Sequence, residues 1–112
     1  MRYLVIYRPE TGEEGGTPTP EHMAAMGELV QRMTASGKLI ATEPLTARAR
    51  GARVRLADGQ FTVSDETERA SGYAFLNAGS REEAIALCQE FLQTAGDGIT
   101  EIRQVLEFGP AQ

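Results

Sequence analysis

The chain has 112 residues, with 11 basic and 16 acidic side chains, a net charge of −5, one cysteine and one histidine. Domains commonly contain about 100–150 residues, so we expect a single domain over residues 1–112. The acidic balance argues against a nucleic-acid-binding protein, which needs a basic surplus to neutralise phosphates.

The cysteine and histidine content limits the disulfides and metal sites that the chain can form. One cysteine excludes an internal disulfide, and with one histidine it cannot supply a four-ligand zinc site, so no metal or other cofactor is expected. No apolar run approaches the roughly 20 residues that cross a bilayer. The five apolar residues before Arg8 are too few for a secretory signal. We therefore expect a cytoplasmic protein that contacts neither membrane nor nucleic acid.

Residues 2–8 predict a strand whose two faces are both apolar. The two faces carry, respectively, Tyr3, Val5 and Tyr7, and Leu4 and Ile6. Two apolar faces are typical of a central strand that is covered on both sides. The polar, glycine-rich residues 9–18 predict a loop after it.

A helix is predicted to begin at Thr19-Pro20, because threonine can cap free N–H groups and proline suits the first turn. Its one-sided apolar stripe consists of Met23, Met26, Val30 and Met33. Gly37 predicts the end of this helix. Residues 39–45, which include a proline, predict a short strand after it.

The clearest local signal is a β-hairpin, in which residues 52–57 and 60–64 alternate on either side of Asp58-Gly59. Pairing through this turn sets Leu56 opposite Phe61, Val54 opposite Val63, and Arg53 opposite Ser64. One face is then apolar, and the other is polar. We expect the apolar face to be buried, so that a charge at Leu56 or Phe61 would unfold the chain or abolish dimerisation.

The second half of the chain predicts a strand, a helix and a strand. Residues 72–78 again have two apolar faces, and Ser80-Arg81-Glu82-Glu83 forms a capping box. The helix that follows carries an apolar stripe and ends before Gly96; the stripe consists of Ala84, Ile85, Cys88, Phe91 and Leu92. Residues 99–108 predict the last strand.

The element order β-α-β-β-β-β-α-β predicts an α+β, ferredoxin-like split βαβ fold with an added β-hairpin. Two helices can cover only one face of such a sheet, yet the other face of the two central strands is also apolar. A large apolar face is rarely left open. We therefore expect a homodimer in which two sheets pack face to face.

Five segments also carry a family resemblance: MRYLVIY, PEHMAAMGELVQRM, GARVRLADGQFTVSD, ASGYAFLNAGSREEAIALCQEF and EIRQVLEF. In their order and spacing they resemble the YCII-related proteins and, within these, the DGPF branch. The resemblance spans nearly the whole chain and implies a dimeric α/β barrel. It also implies a small bacterial cytoplasmic protein, in a family where many members lack an assigned reaction. Some members are encoded beside extracytoplasmic-function sigma factors, which implies a regulatory association.

The chain departs from the family at the motif that names the branch. The family has Asp-Gly-Pro-Phe before a short polar stretch, whereas here Asp65 is followed directly by Glu66-Thr67-Glu68-Arg69. The Gly-Pro-Phe turn is missing, and the loop is several residues shorter. A function that depends on this turn is therefore in question for this chain.

His22 and Asp65 are the candidate catalytic residues. Histidine is the side chain best suited to proton transfer near neutral pH, and the wider family implies a histidine–aspartate acid/base pair. The alternative for His22 is a solvated residue at a helix start. Asp65 lies on the apolar face of the hairpin if the strand continues that far; alternatively, the strand ends at Ser64 and Asp65 caps the following turn.

Tyr7, Arg53 and Tyr73 are the candidate ligand-binding residues, as hydroxyl and guanidinium groups that could line a cleft. The alternatives are core packing for the tyrosines and a surface salt bridge for Arg53. Three function classes remain open: a cofactor-free acid/base enzyme acting on a small molecule, a non-catalytic binding or regulatory module, and a dimeric interaction protein without a pocket.

Overall fold

The computed structural model of the protein describes residues 1–10, 19–46 and 50–107. Within these ranges the chain forms six strands and two helices. In chain order they are β1 (Arg2–Pro9), α1 (Pro20–Ala35), β2 (Leu39–Pro44), β3 (Arg53–Ala57), β4 (Gln60–Ser64), β5 (Gly72–Asn77), α2 (Arg81–Ala95) and β6 (Gly98–Gln104).

The main sheet has four antiparallel strands in the order β2-β5-β1-β6. This order, with one helix following β1 and another following β5, is that of a ferredoxin-like split βαβ fold. The strands β3 and β4 form a separate two-stranded sheet, inserted between β2 and β5. The predicted α+β fold with an added hairpin is confirmed.

β1 determines which residues of the sheet enter the core. Its partners on β5 place Tyr3 beside Leu76 and Val5 beside Ala74, and Tyr3 and Val5 are buried. Both helices pack on this face. Their buried side chains complete the core: Leu29 and Met33 of α1, and Ala84 and Cys88 of α2.

Neither of the two described helices lies on the opposite face of the sheet. We define this open face by the cross-strand pairs Leu4–Phe75 and Ile6–Tyr73, which the register places side by side at its centre. All four side chains are partly exposed. The residues that the structure describes therefore leave the apolar middle of the sheet partly exposed, as the alternation of β1 and β5 predicts.

Helix α1 begins as predicted, but its buried face is shifted from the predicted stripe. The Thr19 hydroxyl accepts a hydrogen bond from the His22 backbone N–H at 3.1 Å. Leu29, absent from the predicted stripe, is only 2% exposed, whereas Met23 is 60% exposed. At about 100° per residue, Met23 lies about a quarter turn around the helix from the centre set by Leu29 and Met33.

Helix α2 confirms the predicted capping box. The Ser80 hydroxyl accepts from the Glu83 backbone N–H at 3.1 Å. The Glu83 carboxylate in turn accepts from the Gly79 backbone N–H at 2.9 Å and from Lys38 Nζ at 3.2 Å. These two bonds, the Gly79 one foremost, hold the pKa of Glu83 below its ordinary value.

The last strand is shorter than predicted. β6 ends at Gln104, which pairs with Tyr3, and the Val105 backbone N–H makes a final bond to the Arg2 carbonyl at 2.8 Å. Phe108, the predicted end of the strand, lies outside the described residues.

The hairpin forms with the predicted register, including the pairs Leu56–Phe61 and Val54–Val63. Asp58 and Gly59 have φ values of 51° and 75°, the positive values that a type I′ turn requires. Its apolar face is not buried within the chain, since Phe61 is 73% exposed. A charge at Leu56 or Phe61 is therefore not expected to unfold a single chain, because neither side chain belongs to the core. The other expected outcome, loss of dimerisation, stays a prediction.

Glu83→Gln tests the capping box through its pH dependence. We expect the variant to melt at a lower temperature than the wild type near neutral pH. The folded pKa is lowered, so the stabilisation is complete above the unfolded pKa of about 4.3 and is lost as pH falls through the folded value. The melting difference should therefore shrink towards about pH 3.

Circular dichroism melts over this range measure the effect. Glu82→Gln is the matched control, since Glu82 shares the first turn of α2 but makes no hydrogen bond or ion pair with a described residue. A melting difference for Glu83→Gln that stays constant into acid would contradict this assignment.

Candidate functional site

The topology brings all five candidate residues to one end of the main sheet. β1 and β2 finish at this end, and β5 and β6 begin there. α1 starts here, and the hairpin is attached here, because it lies between the end of β2 and the start of β5. The Ser71 backbone N–H ties the strands together through a 2.8 Å bond to the Tyr7 carbonyl.

The two tyrosines lie on opposite faces of the sheet at this end. Tyr7 pairs with Gly72 on the helix face, and its ring meets Phe91 edge-on with centroids 5.1 Å apart. Tyr73 is a neighbour of Ile6 on the open face, where its hydroxyl donates to Glu43 Oε1 at 3.0 Å. One pocket within a single chain therefore cannot contain both rings.

His22 and Asp65 are not in contact with each other. His22 is partly buried in the first turn of α1, and Asp65 is exposed just after β4 ends at Ser64. Of the two alternatives for Asp65, the strand end is thus observed. Neither side chain makes a hydrogen bond or ion pair within the described ranges.

Arg53 lies at the base of the hairpin and pairs with the acidic segment that follows β4. Its guanidinium is 3.6 Å from a Glu66 carboxylate oxygen and 3.5 Å from one of Glu68. All three side chains are substantially exposed, so each pair contributes little to stability. The contacts occupy Arg53 with residues of its own chain rather than directing it towards Tyr7 or His22.

A cleft at the same end of the sheet was not predicted from the sequence. It has a volume of about 730 Å³ and lies where α2 ends and β6 begins. We call it the acidic cleft. Its lining residues are Glu10, Gln89, Leu92, Gln93, Gly96, Asp97 and Gly98. The Glu10 backbone N–H donates to the Asp97 carbonyl at 3.0 Å and closes one side of it.

The acidic cleft has a negative electrostatic character. It contains the carboxylates of Glu10 and Asp97, and it lies at the C-terminus of α2, where the helix dipole is negative. None of its lining residues is basic. A signal was present in the sequence, since Gly96-Asp97-Gly98 follows a helix, but nothing local indicated that Glu10 would lie beside it.

Tyr7 lies next to this cleft, against Gly98, which is one of its lining residues. An added Cβ on Gly98 would lie 3.0 Å from the Tyr7 hydroxyl and 2.6 Å from its ring, so the phenol passes directly beside Gly98. Burial, and then the charge of Asp97, raise the pKa of Tyr7. The phenol therefore keeps its proton near neutral pH and remains a hydrogen-bond donor.

Other features of the described chain add no second site of this kind. A smaller cleft of about 220 Å³ lies at the base of the hairpin, lined by residues that include Leu45, Ala52 and Glu68. Cys88 is buried in the core, and burial raises the pKa of its thiol, which disfavours the reactive thiolate. Among the described residues, no helix is both long and apolar enough to cross a membrane.

Comparison of the sequence with models of known protein families gives a match. The family model for the YCII-related domain matches residues 1–109. The family resemblance is thereby confirmed, while its DGPF branch stays a prediction. No curated protein matches the chain. The solved structure of the Mycobacterial membrane protein MmpL11D2 is 18% identical with a TM-score of 0.35, over 90% of this chain and 99% of that one.

Gly98→Ala tests the close packing of Tyr7 beside the cleft. The new Cβ would lie 2.7 Å from the Arg8 carbonyl oxygen as well as against the Tyr7 ring, and backbone cannot move aside cheaply. We expect a loss of about 1–3 kcal/mol in the free energy of unfolding, measured by urea denaturation.

Gly27→Ala is the control, because Gly27 lies within α1 with no atom within 4 Å of an added Cβ. It should stabilise the chain by about 0.5–1 kcal/mol. Equal effects of the two substitutions would show that Tyr7 does not pack against Gly98.

Proposed function

Because the chain belongs to the YCII-related family, we propose a function within that family: a homodimer that binds a small polar molecule without transforming it. The observation that carries the proposal is the acidic cleft, which combines two carboxylates, two amide side chains and a neighbouring phenol in one concave surface. Ligand sites are typically concave and contain a few placed polar groups.

The lining residues indicate the charge of the ligand. Glu10 and Asp97 offer acceptors only, and the α2 C-terminus adds a partial negative charge. The Tyr7 hydroxyl beside the cleft is a donor, and Gln89 and Gln93 can both donate and accept. A small cation with several N–H donors, such as an alkylammonium compound, is the complementary class.

The homodimer is supported by the open face. Leu4, Ile6, Tyr73 and Phe75 form an apolar centre that no helix of the same chain covers. Packing two open faces together buries both and produces the two-sheet arrangement of a dimeric α/β barrel. In a dimer with a two-fold axis, the same surface of both copies forms the interface, so the open face would pack against itself.

Acid/base catalysis by His22 and Asp65 is a second candidate function. It is favoured by one observation: both residues lie at the sheet end that holds the cleft, and neither has a partner within the described ranges. The binding function ranks first because neither residue lines the acidic cleft. A regulatory role of the kind that the family resemblance implies would use the same binding site.

Titration with ethylenediamine tests the ligand class. We expect saturable amide shifts at Gln93, Asp97 and Gly98 in nitrogen–proton NMR spectra of the full chain, and none with acetate. Asp97→Asn should weaken the apparent affinity at least tenfold, since one ion-paired acceptor is lost.

Asp58→Asn is the matched control, because it removes the same charge at the tip of the hairpin. His22→Gln and Asp65→Asn should leave the titration unchanged. Shifts that centre on His22 and Asp65 would instead favour the acid/base pair, and the absence of any saturable shift would refute the cleft as the binding site.

Leu4→Glu tests the dimer. We expect the wild type to have twice the chain mass of 12.1 kDa in light scattering at micromolar concentration, and the variant to be monomeric. A glutamate at the centre of the interface would have to be buried without a partner. Met23→Glu is the control, because Met23 is 60% exposed on α1, away from the open face. A wild type that is monomeric would exclude the homodimer.

A further inference from the structure

The β3–β4 hairpin carries an apolar face that no other part of the described chain covers. The cross-strand pairs Val54–Val63 and Leu56–Phe61 place four apolar side chains on one face. Their exposures are 64% and 69% for the valines, 61% for Leu56 and 73% for Phe61. Soluble proteins seldom leave such a concentration of apolar surface open.

The hairpin also stands away from the body of the chain. β3 and β4 contact each other, but neither makes an extensive contact with another strand or helix within the described ranges. An isolated two-stranded hairpin is at best marginally stable in water, so this one needs a covering surface.

We propose that residues 53–64 form an arm that packs its apolar face onto the body of a second copy of this chain. The proposal rests on the homodimer proposed above and adds a second contact to it. The open faces of the two copies would pack against each other, and each arm would pack against the body of the opposite copy.

The area of the arm favours the body of a second copy over a second arm. Each apolar face presents on the order of 400 Å². Two arms packed on each other would bury on the order of 800 Å², no more than a crystal-packing contact. Two arms that each cover an equal area of the opposite body would bury about 1,600 Å², the standard size of a specific interface.

Charge favours the same arrangement. Within the arm, Arg53 is engaged by Glu66 and Glu68 of its own chain, whereas Arg55 makes no ion pair with a described residue. Arg55 lies on the polar face of the hairpin, where it would remain at the rim of the contact. Because the whole chain carries a net charge of −5, this guanidinium would be attracted to the acidic body of another copy.

The double variant Leu56→Ser/Phe61→Ser in the full chain tests the arm. Analytical ultracentrifugation over a dilution series should show a dimer dissociation constant at least tenfold higher than that of the wild type. Arg55→Lys/Thr62→Ser, the adjacent cross-strand pair on the polar face, should change it less than threefold. Circular dichroism shows whether each variant keeps its fold.

Hydrogen exchange provides a second readout that does not depend on these variants. Amides of residues 53–64 should exchange slowly in the dimer and at least tenfold faster in monomeric Leu4→Glu. Body amides that the arm protects from exchange in the wild-type dimer should lose this protection in the double variant.

The outcomes separate this inference from the homodimer itself. The arm contact is overturned if Leu4→Glu abolishes the dimer while Leu56→Ser/Phe61→Ser leaves its dissociation constant unchanged, and if the hairpin amides exchange equally fast in monomer and dimer. The homodimer proposal would be unaffected by that result. A wild type that is monomeric overturns both. Sedimentation of the wild type, but not the double variant, with phosphatidylglycerol vesicles would also overturn the arm, because the face would then dock on a membrane.

Discussion

The arrangement of this protein depends on the alternation of apolar side chains along β1. Tyr3 and Val5 enter the core under the helices, while Leu4 and Ile6 face the other way. Two helices cover one side of a four-stranded sheet and leave none for the other. The core described is therefore built on one side only, and the homodimer that we propose would cover the second apolar side.

The strand order concentrates chemical groups at one end of the sheet. α1 begins, α2 finishes and the hairpin departs at this end, so segments distant in the sequence meet there. Gly98 lets the Tyr7 phenol pass within contact distance of the α2–β6 turn, and Asp97 and Glu10 are joined through the backbone. The resulting surface is negative because carboxylates and the end of a helix dipole lie together without a basic residue among the lining groups.

The hairpin and the sheet present the same physical problem at two places. In each, regular backbone pairing produces an apolar face that no other element in the described ranges covers. A chain of 112 residues buries a limited fraction of its surface on its own, and the assembly that we propose would bury more of it. In this interpretation, ligand binding occurs at the sheet end, while assembly uses the open face and the arm.

The sequence by itself determined the features that depend on near neighbours. The Asp58-Gly59 turn, the hairpin register, the Ser80 cap and the two-faced character of β1 could all be predicted, because each depends on residues a few positions apart. The element order also predicted the fold class. The candidate residues could be named, but whether any two of them share a pocket could not be predicted.

Only the tertiary structure decided how these elements meet. Alternation shows that Tyr7 and Tyr73 each lie on one face, but the pairing of Tyr7 with Gly72 decides that those faces are opposite. β6 ends at Gln104 opposite Tyr3, and Leu29 is buried because of where α1 packs. The acidic cleft joins Glu10 to Asp97 across 87 positions of the chain. Such long-range contacts depend on strand register and helix packing, which local sequence patterns do not encode.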